Sequence, residues 1–265
     1  MKAKLLIQYI LQFLFPIFLF FFIILTMLFF TVFNPKYILK TFEKCDYYTK
    51  LQNTIDEEMN NYIIQSGFDE SVLNNIYPKE DLKKQVRNIV YSMYRHDTYK
   101  VDTKTVETNL KQNINEYLST NNIVVNDEES ISKFIEKMAE IYEENIHILK
   151  SITMLDKLLY FGKISCLIGS ITLFVIVILL YIILKKIYKV NCLSTTLFTN
   201  AILLFMTCMY FYNRLDINHI NLLSASFSSF IMILLKNMLI YLLGLSLITI
   251  MLGMTTVVIE NNKKE

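Results

Sequence analysis

Four long apolar runs mark the chain, at residues 5–33, 158–184, 193–212 and within 227–259. A mixed polar stretch of about 120 residues separates the first from the second. A helix needs about 20 apolar residues to cross a bilayer core of about 30 Å, so each run predicts one membrane-spanning helix. The first is dense in Phe, Leu and Ile and exceeds the roughly 7–15 residues of a signal-peptide core. "TVFNPKY" follows it, with bulky residues where a cleavage site needs small ones, so it reads as an uncleaved anchor. The last run is too long for one straight span. Residues 239–259 suffice alone, about 31 Å at about 1.5 Å per residue. That leaves 227–235 as an interfacial lead-in and Lys236 at the rim, its stem along lipid and its ammonium in water. The alternative buries Lys236 as a partner for Asp216, for a glutamate or for a substrate anion, since charges inside a membrane are costly and usually functional.

Within the polar stretch the periodicity is helical. Pro35 suits a helix start, and Tyr48, Leu51, Ile55, Met59, Tyr62 and Ile63 continue at helical spacing to a stop at Gly67. Asp69 is placed to cap a short helix reaching Ile76. Pro78 opens another, with Leu82, Val86, Ile89, Val90 and Met93 on one face. Asp102 or Thr103 caps the next, which carries Val106, Leu110, Ile114, Tyr117 and Leu118. "NNIVVND" reads as a short extended piece pairing with "TYKV". The last helix starts near Asp127, with Glu128 and Glu129 favouring its N-terminal dipole. Its seam is Ile131, Phe134, Ile135, Met138, Tyr142, Leu149 and Ile152. No Gly or Pro interrupts 127–161, so this helix is expected to run into the second span, as the first domain helix follows the first span after only "NPK". The expected fold is mainly α: an anchor (1–33), a helical domain (34–157) on two stalks, and a three-helix membrane bundle (158–265).

Composition supports this division. The chain is 54% hydrophobic and 19% charged, with a mean hydropathy of +0.38, too apolar for an ordinary soluble domain. It holds four alanines against abundant Asn, Ile and Lys, a bias of AT-rich coding sequence that points to a low-GC bacterium. Lys2 and Lys4 precede the first span, Lys185, Lys186 and Lys189 lie between the second and third, and Lys263 and Lys264 follow the fourth. The positive-inside rule therefore puts both termini in the cytoplasm of a bacterial plasma membrane and residues 34–157 outside it. That segment carries 16 Lys/Arg against 21 Asp/Glu. Its excess acid does not disturb the assignment, because long domains translocate largely regardless of charge. Cys45 is alone in the polar portion, so no disulfide forms within it, and if accessible it would report its side of the membrane.

Chemistry-bearing patterns are sparse. There is no glycine-rich phosphate loop, G-x-S-x-G, H-E-x-x-H or C-x-x-C. Glu144 and His147 have the i, i+3 spacing of carboxylate-bridged di-iron bundles, but a second pair is absent. His96, Asp97 and Asp102 surround a presumed turn, where Asp usually serves the local backbone. "NRLDINHINLL" places Arg214, Asp216 and His219 in the loop before the fourth span. With Lys236 these are the candidate functional residues, read either as an interfacial turn or as a small polar site beneath the domain. No catalytic residue, cofactor or metal ligand is assigned. Gly162, Cys166, Gly169 and Ser170 put small residues along one side of the second span, for packing against another span or a second copy. Tyr160, Phe161, Tyr181, Tyr188, Tyr210 and Tyr212 sit near span ends as interfacial aromatics do.

One span, an external domain, then three spans resembles the plan of the MacB/FtsX class of ABC-transporter permease subunits. That resemblance implies transmission of ATPase motion to the domain. Only four residues precede the first span, and the loop "KKIYKVN" is short for an ATPase dock. "NPKYILKTFEKCDYYTKLQ" and the "YKVDT" turn are similar to a loose group of uncharacterised four-span bacterial membrane proteins, which implies no activity. The reading is therefore non-enzymatic: an integral protein in contact with the lipid bilayer, whose domain binds a protein partner, senses the envelope or scaffolds a complex. Nucleic acid is not expected as a partner, and homo-oligomers remain open. The alternatives are a permease-like subunit and a small transporter or channel component.

Overall fold

The computed structural model describes residues 2–123, 128–147, 155–188, 191–216 and 224–262. Among these residues there are nine α-helices and no strand: α1 (Lys2–Phe30), α2 (Pro35–Lys44), α3 (Tyr47–Ser66), α4 (Lys79–Arg95), α5 (Lys104–Thr120), α6 (Glu128–Ile146), α7 (Leu155–Ile182), α8 (Leu193–Arg214) and α9 (Ala225–Asn262). Four helical segments, Ala3–Phe30, Leu155–Ile187, Leu193–Arg214 and Ala225–Asn262, are long and apolar enough to cross a membrane. The chain divides into two compact units. One holds Met1–Tyr37, Phe161–Asn221 and Ile231–Glu265, and the other holds Ile38–Tyr160 with Leu222–Phe230.

The apolar unit is stitched by a few polar bonds among many apolar contacts. Pro16 lies inside α1, where it removes one backbone donor. The buried Asn200 of α8 donates its Nδ2 to the Pro16 carbonyl at 2.9 Å. Ser246 Oγ of α9 bonds the Ala201 carbonyl at 2.9 Å, and Cys208 Sγ approaches the Leu239 carbonyl at 3.5 Å. Around these bonds Met27, Leu204, Cys208, Leu239 and Leu242 form one buried cluster, and Phe15, Leu180, Leu184 and Cys192 another. Two glycines of α7 are crowded by side chains from the first apolar run. A Cβ on Gly162 would stand 2.3 Å from Phe33 Cε1, and one on Gly169 would stand 3.0 Å from Leu25 Cδ1. The Phe33 ring, in the turn after α1, and the Leu25 side chain of α1 fill the space that these two glycines leave. Gly244 is the contrasting case, with nothing within 4 Å of its Cβ position. We expect Gly162→Leu to destabilise the protein by about 1–3 kcal/mol through overpacking. Gly244→Leu should cost nothing. Thermal unfolding in detergent compares them, and equal midpoints would mean that the Phe33 ring does not need the space at Gly162.

The domain unit departs from the expected helix pattern at definable places. The single helix expected from Pro35 to Gly67 is broken. α2 ends at Lys44, Asp46 adopts φ 54°, and α3 begins at Tyr47. Asp tolerates the left-handed region better than most residues, and Thr49 donates to its carboxylate at 2.8 Å. The break lets Phe42 stack on Tyr47, with centroids 4.1 Å apart and planes 10° apart. α3 ends as expected at Gly67, whose φ of 81° costs glycine nothing. Asp69 caps only a 3₁₀ turn, Glu70–Leu73, because Asn75 turns left-handed at φ 54° before Ile76.

"TYKV" is not a strand. Residues 97–103 are irregular and are pinned to α4 by the buried Gln85. Its Oε1 accepts from the Tyr99 hydroxyl at 2.6 Å and from Asp102 N–H at 3.3 Å, and its Nε2 donates to the Asp102 carbonyl at 3.2 Å. The side chain satisfies backbone groups that a partner strand would otherwise take. Much of the proposed pairing segment, and the continuity of α6 into α7 across 148–154, lie outside the described residues, as do Leu149 and Ile152.

α4 buries Leu82, Val86, Ile89, Val90 and Met93 as its periodicity predicts, with Glu80 and Asp81 in its first turn and Arg95 in its last. The ends of two apolar helices also differ from expectation. α1 stops at Phe30, and Thr31–Phe33 form a turn before Asn34. Residues 227–235 are not a separate segment before the last span. They belong to α9, a single helix of 38 residues, about 57 Å long. Phe227 and Phe230 are buried, and Phe230 meets Phe42 edge-on at 4.7 Å. Lys50 Nζ donates to Ser229 Oγ at 2.7 Å.

Candidate functional site

Three of the four candidate residues come together. Arg214 ends α8, and the chain leaves it extended through Leu215 and Asp216. Lys236 lies twelve residues into α9. Both helices line one groove of about 850 Å³, with Arg214, Asp216 and Lys236 joined by Met209, Tyr212, Leu239, Ile240 and Leu243. The groove opens beside the point where Cys208 touches the Leu239 carbonyl. Lys236 is one turn from Leu239, about 4.5 Å along the axis. All three charged residues are exposed, and Lys236 lines the groove that Asp216 also lines. His219 lies outside the described residues. Arg214 in the last turn of α8 also complements that helix's dipole. Lys236, far from either end of α9, has no such local role.

The two weaker constellations resolve into local pairs. His147 Nε2 stands 3.4 Å from Glu143, at i, i+4, and Glu144 is exposed. His96 is the left-handed C-cap of α4, at φ 58°. Its Nδ1 lies 3.0 Å from Asp156 at the start of α7, and its ring stacks on Tyr160 at 5.8 Å. Asp102 accepts from Lys104 N–H at 3.2 Å, a local turn bond. Among the described residues no group of three or more His, Cys, Asp or Glu converges as a metal site would.

A site that sequence reasoning missed lies on the domain. Two adjoining clefts, about 510 and 770 Å³, share Ser71, Asn74 and Asn75. Their walls are rich in amides and carboxylates: Gln52, Asp56 and Asn60 in one, Asn109, Gln112, Asn113 and Glu116 in the other. The loop between them is held open by α5. Asn113 Nδ2 donates to the carbonyls of Val72 and Asn74 at 2.9 and 2.8 Å, and Asn109 Nδ2 to that of Ile76 at 3.2 Å. Tyr77 closes the floor by donating its hydroxyl to Asp56 at 2.5 Å. Burial, followed by this bond to a carboxylate, pushes the Tyr77 phenol well above the usual tyrosine range. The i, i+4 spacing of Asn109 and Asn113 was the available signal, but their partners lie more than thirty residues away.

Cys45 is not the accessible probe that the sequence offered. It is 4% exposed, its thiol points at the Phe42 carbonyl at 3.4 Å, and burial raises its pKa. The other three cysteines are buried as well.

No protein-family model, curated protein or solved structure matches the chain.

Proposed function

We infer that this is a non-enzymatic, four-span membrane protein whose helical domain lies outside the cytoplasm and binds a protein partner through the amide-lined clefts around residues 69–77. One observation carries the reading: side chains with paired donors and acceptors surround a loop whose Val72, Asn74 and Ile76 carbonyls are already taken by α5. Amides match the donors and acceptors of a polypeptide backbone, and the flanking carboxylates suit a segment with basic or donor groups. The acidic excess of residues 34–157 disfavours nucleic acid, whose phosphates need a basic surface. The lysine distribution supports the orientation.

Gln112→Cys tests both parts, because Gln112 is exposed on the cleft wall and every native cysteine is buried. We expect the variant to react with a membrane-impermeant maleimide in intact cells while the parent chain stays unlabelled until denatured. A benzophenone carried on the same cysteine should yield one discrete protein adduct, absent when the probe sits on Lys133→Cys of α6. Labelling only after lysis would reverse the orientation. Identical adduct patterns at both positions would remove the cleft as a binding surface.

A further inference from the structure

We propose that the end of the apolar unit where α1 begins and α7 finishes sits against an anionic lipid surface, its lysines taking the headgroup phosphates. This surface lies within one unit, so it stands apart from the reading of the domain. Phe15 of α1 is buried with Leu180, Leu184 and Cys192, and Leu11 and Tyr181 pack against them. The start of α1 therefore lies beside the end of α7. α7 runs on into a wide π turn, Ile183–Ile187, with the Tyr188 N–H on the Ile183 carbonyl at 3.3 Å. Across this contact Lys4 Nζ stands 5.9 Å from the centre of the Tyr188 ring. Lys185 Nζ lies over the Tyr181 ring at 5.3 Å and donates to its hydroxyl at 3.0 Å. Lys4, Lys185 and Lys186 are all exposed. An ammonium carries three donors, so Lys185 keeps two for a phosphate.

Counter-charge is missing from these segments. Residues 1–42 and 157–215 contain no Asp or Glu. Glu260 of α9 accepts from Ser194 at the start of α8, at 3.5 Å. Lys185 and Lys186 complement the C-terminal dipole of α7. Lys4 does the opposite: it stands near the positive end of α1, whose first turn holds no acid. α8 also opens without one. A cation at a helix N-terminus is unfavourable unless an anion joins it, and such termini themselves favour phosphate. The neighbours of these lysines separate a lipid from a soluble anion. Leu5, Leu6 and Ile187 are exposed apolar residues, and Tyr181 and Tyr188 are partly buried under the ammonium groups, as interfacial aromatics are. Lysine stems can lie along acyl chains while their ammoniums reach the headgroups, and an anionic leaflet attracts such lysines. A soluble anion would leave the apolar neighbours uncovered.

Native mass spectrometry of the full chain, released from nanodiscs of equal phosphatidylglycerol and phosphatidylcholine, tests this. The parent protein is expected to retain phosphatidylglycerol in roughly fivefold excess, the equivalent of about 1 kcal/mol for a lysine near an anionic surface. Lys4→Gln with Lys185→Gln and Lys186→Gln should remove most of that excess. Lys4→Arg with Lys185→Arg and Lys186→Arg should keep it, which separates charge from folding. Lys84→Gln with Lys104→Gln and Lys111→Gln removes the same charge from exposed domain positions and should also keep it. Retention of both lipids in the bilayer ratio by the parent chain, or an undiminished excess on the first variant, would overturn the surface. Equal loss in both glutamine variants would show an effect of net charge and overturn it too. Loss of the excess in inorganic phosphate, beyond the loss in sodium chloride of equal ionic strength, would point to a soluble anion and overturn the lipid assignment.

Discussion

Above pH 10 the helical domain should lose stability steeply and unfold over a narrow range. Tyr47, Tyr48, Tyr77, Tyr94 and Tyr142 are all buried, and desolvation is the largest cause raising each phenol's pKa. Tyr48 is pushed up to about 12, against about 10 for an unfolded tyrosine. The folded state therefore holds these protons after the unfolded state has released them. Stability from this source is complete below pH 10 and falls as pH rises through the folded values. Each such tyrosine removes up to about 1.4 kcal/mol per pH unit in that window, so five together remove up to about 7. A domain of ordinary stability, about 5–15 kcal/mol, cannot absorb that for long. In a pH titration of the full chain in detergent, helical circular dichroism should fall in one cooperative step, and the share of tyrosinate absorbance from these five of the 17 tyrosines should appear with it. Gradual ionisation near pH 10 with the helices intact would show that these hydroxyls reach water.

Phe42→Ala should be the most damaging single truncation of the domain. Phe42 is fully buried, stacked on Tyr47, and met edge-on by Phe230 at 4.7 Å and by Tyr48 at 6.3 Å. Removing a buried aromatic costs about 3–5 kcal/mol, because the surrounding rings cannot fully collapse into the cavity. The proper comparison is Ile64→Ala, since Ile64 is equally apolar but 71% exposed and should shift stability by no more than about 0.5 kcal/mol. Thermal unfolding of both variants decides the matter. Similar midpoints would mean that the aromatic cluster does not hold the start of α9.

The contrast between these residues marks what sequence can and cannot show. Local periodicity was enough to place α4, α5 and α6. Leu82, Val86 and Ile89, or Val106, Leu110 and Ile114, must share one face of any helix they form. Apolar length was enough to find four helices able to cross a membrane. Periodicity failed at Asp46, because a left-handed residue leaves the apolar spacing on either side unchanged. It also failed at residues 98–101, where β-branched and aromatic residues suggested a strand. Those residues are held instead by Gln85, whose role depends on a contact across the fold.

The candidate site divides in the same way. Arg214 and Lys236 stood out because charge beside an apolar run is costly wherever it lies. Their meeting in one groove follows from the packing of α8 against α9 around Cys208 and Leu239. The amide-lined clefts were invisible for the same reason: Asn113 acts on carbonyls of Val72 and Asn74, far away in the chain. Helix content, the number of helices able to cross a membrane and the division into an apolar and a polar portion were legible along the chain, since these rest on properties summed along neighbouring residues. Where α2 and α3 separate, that α9 runs unbroken past Lys236, and which polar groups face one another emerged with the packed fold. Each of those outcomes depends on long-range packing, which no local pattern encodes.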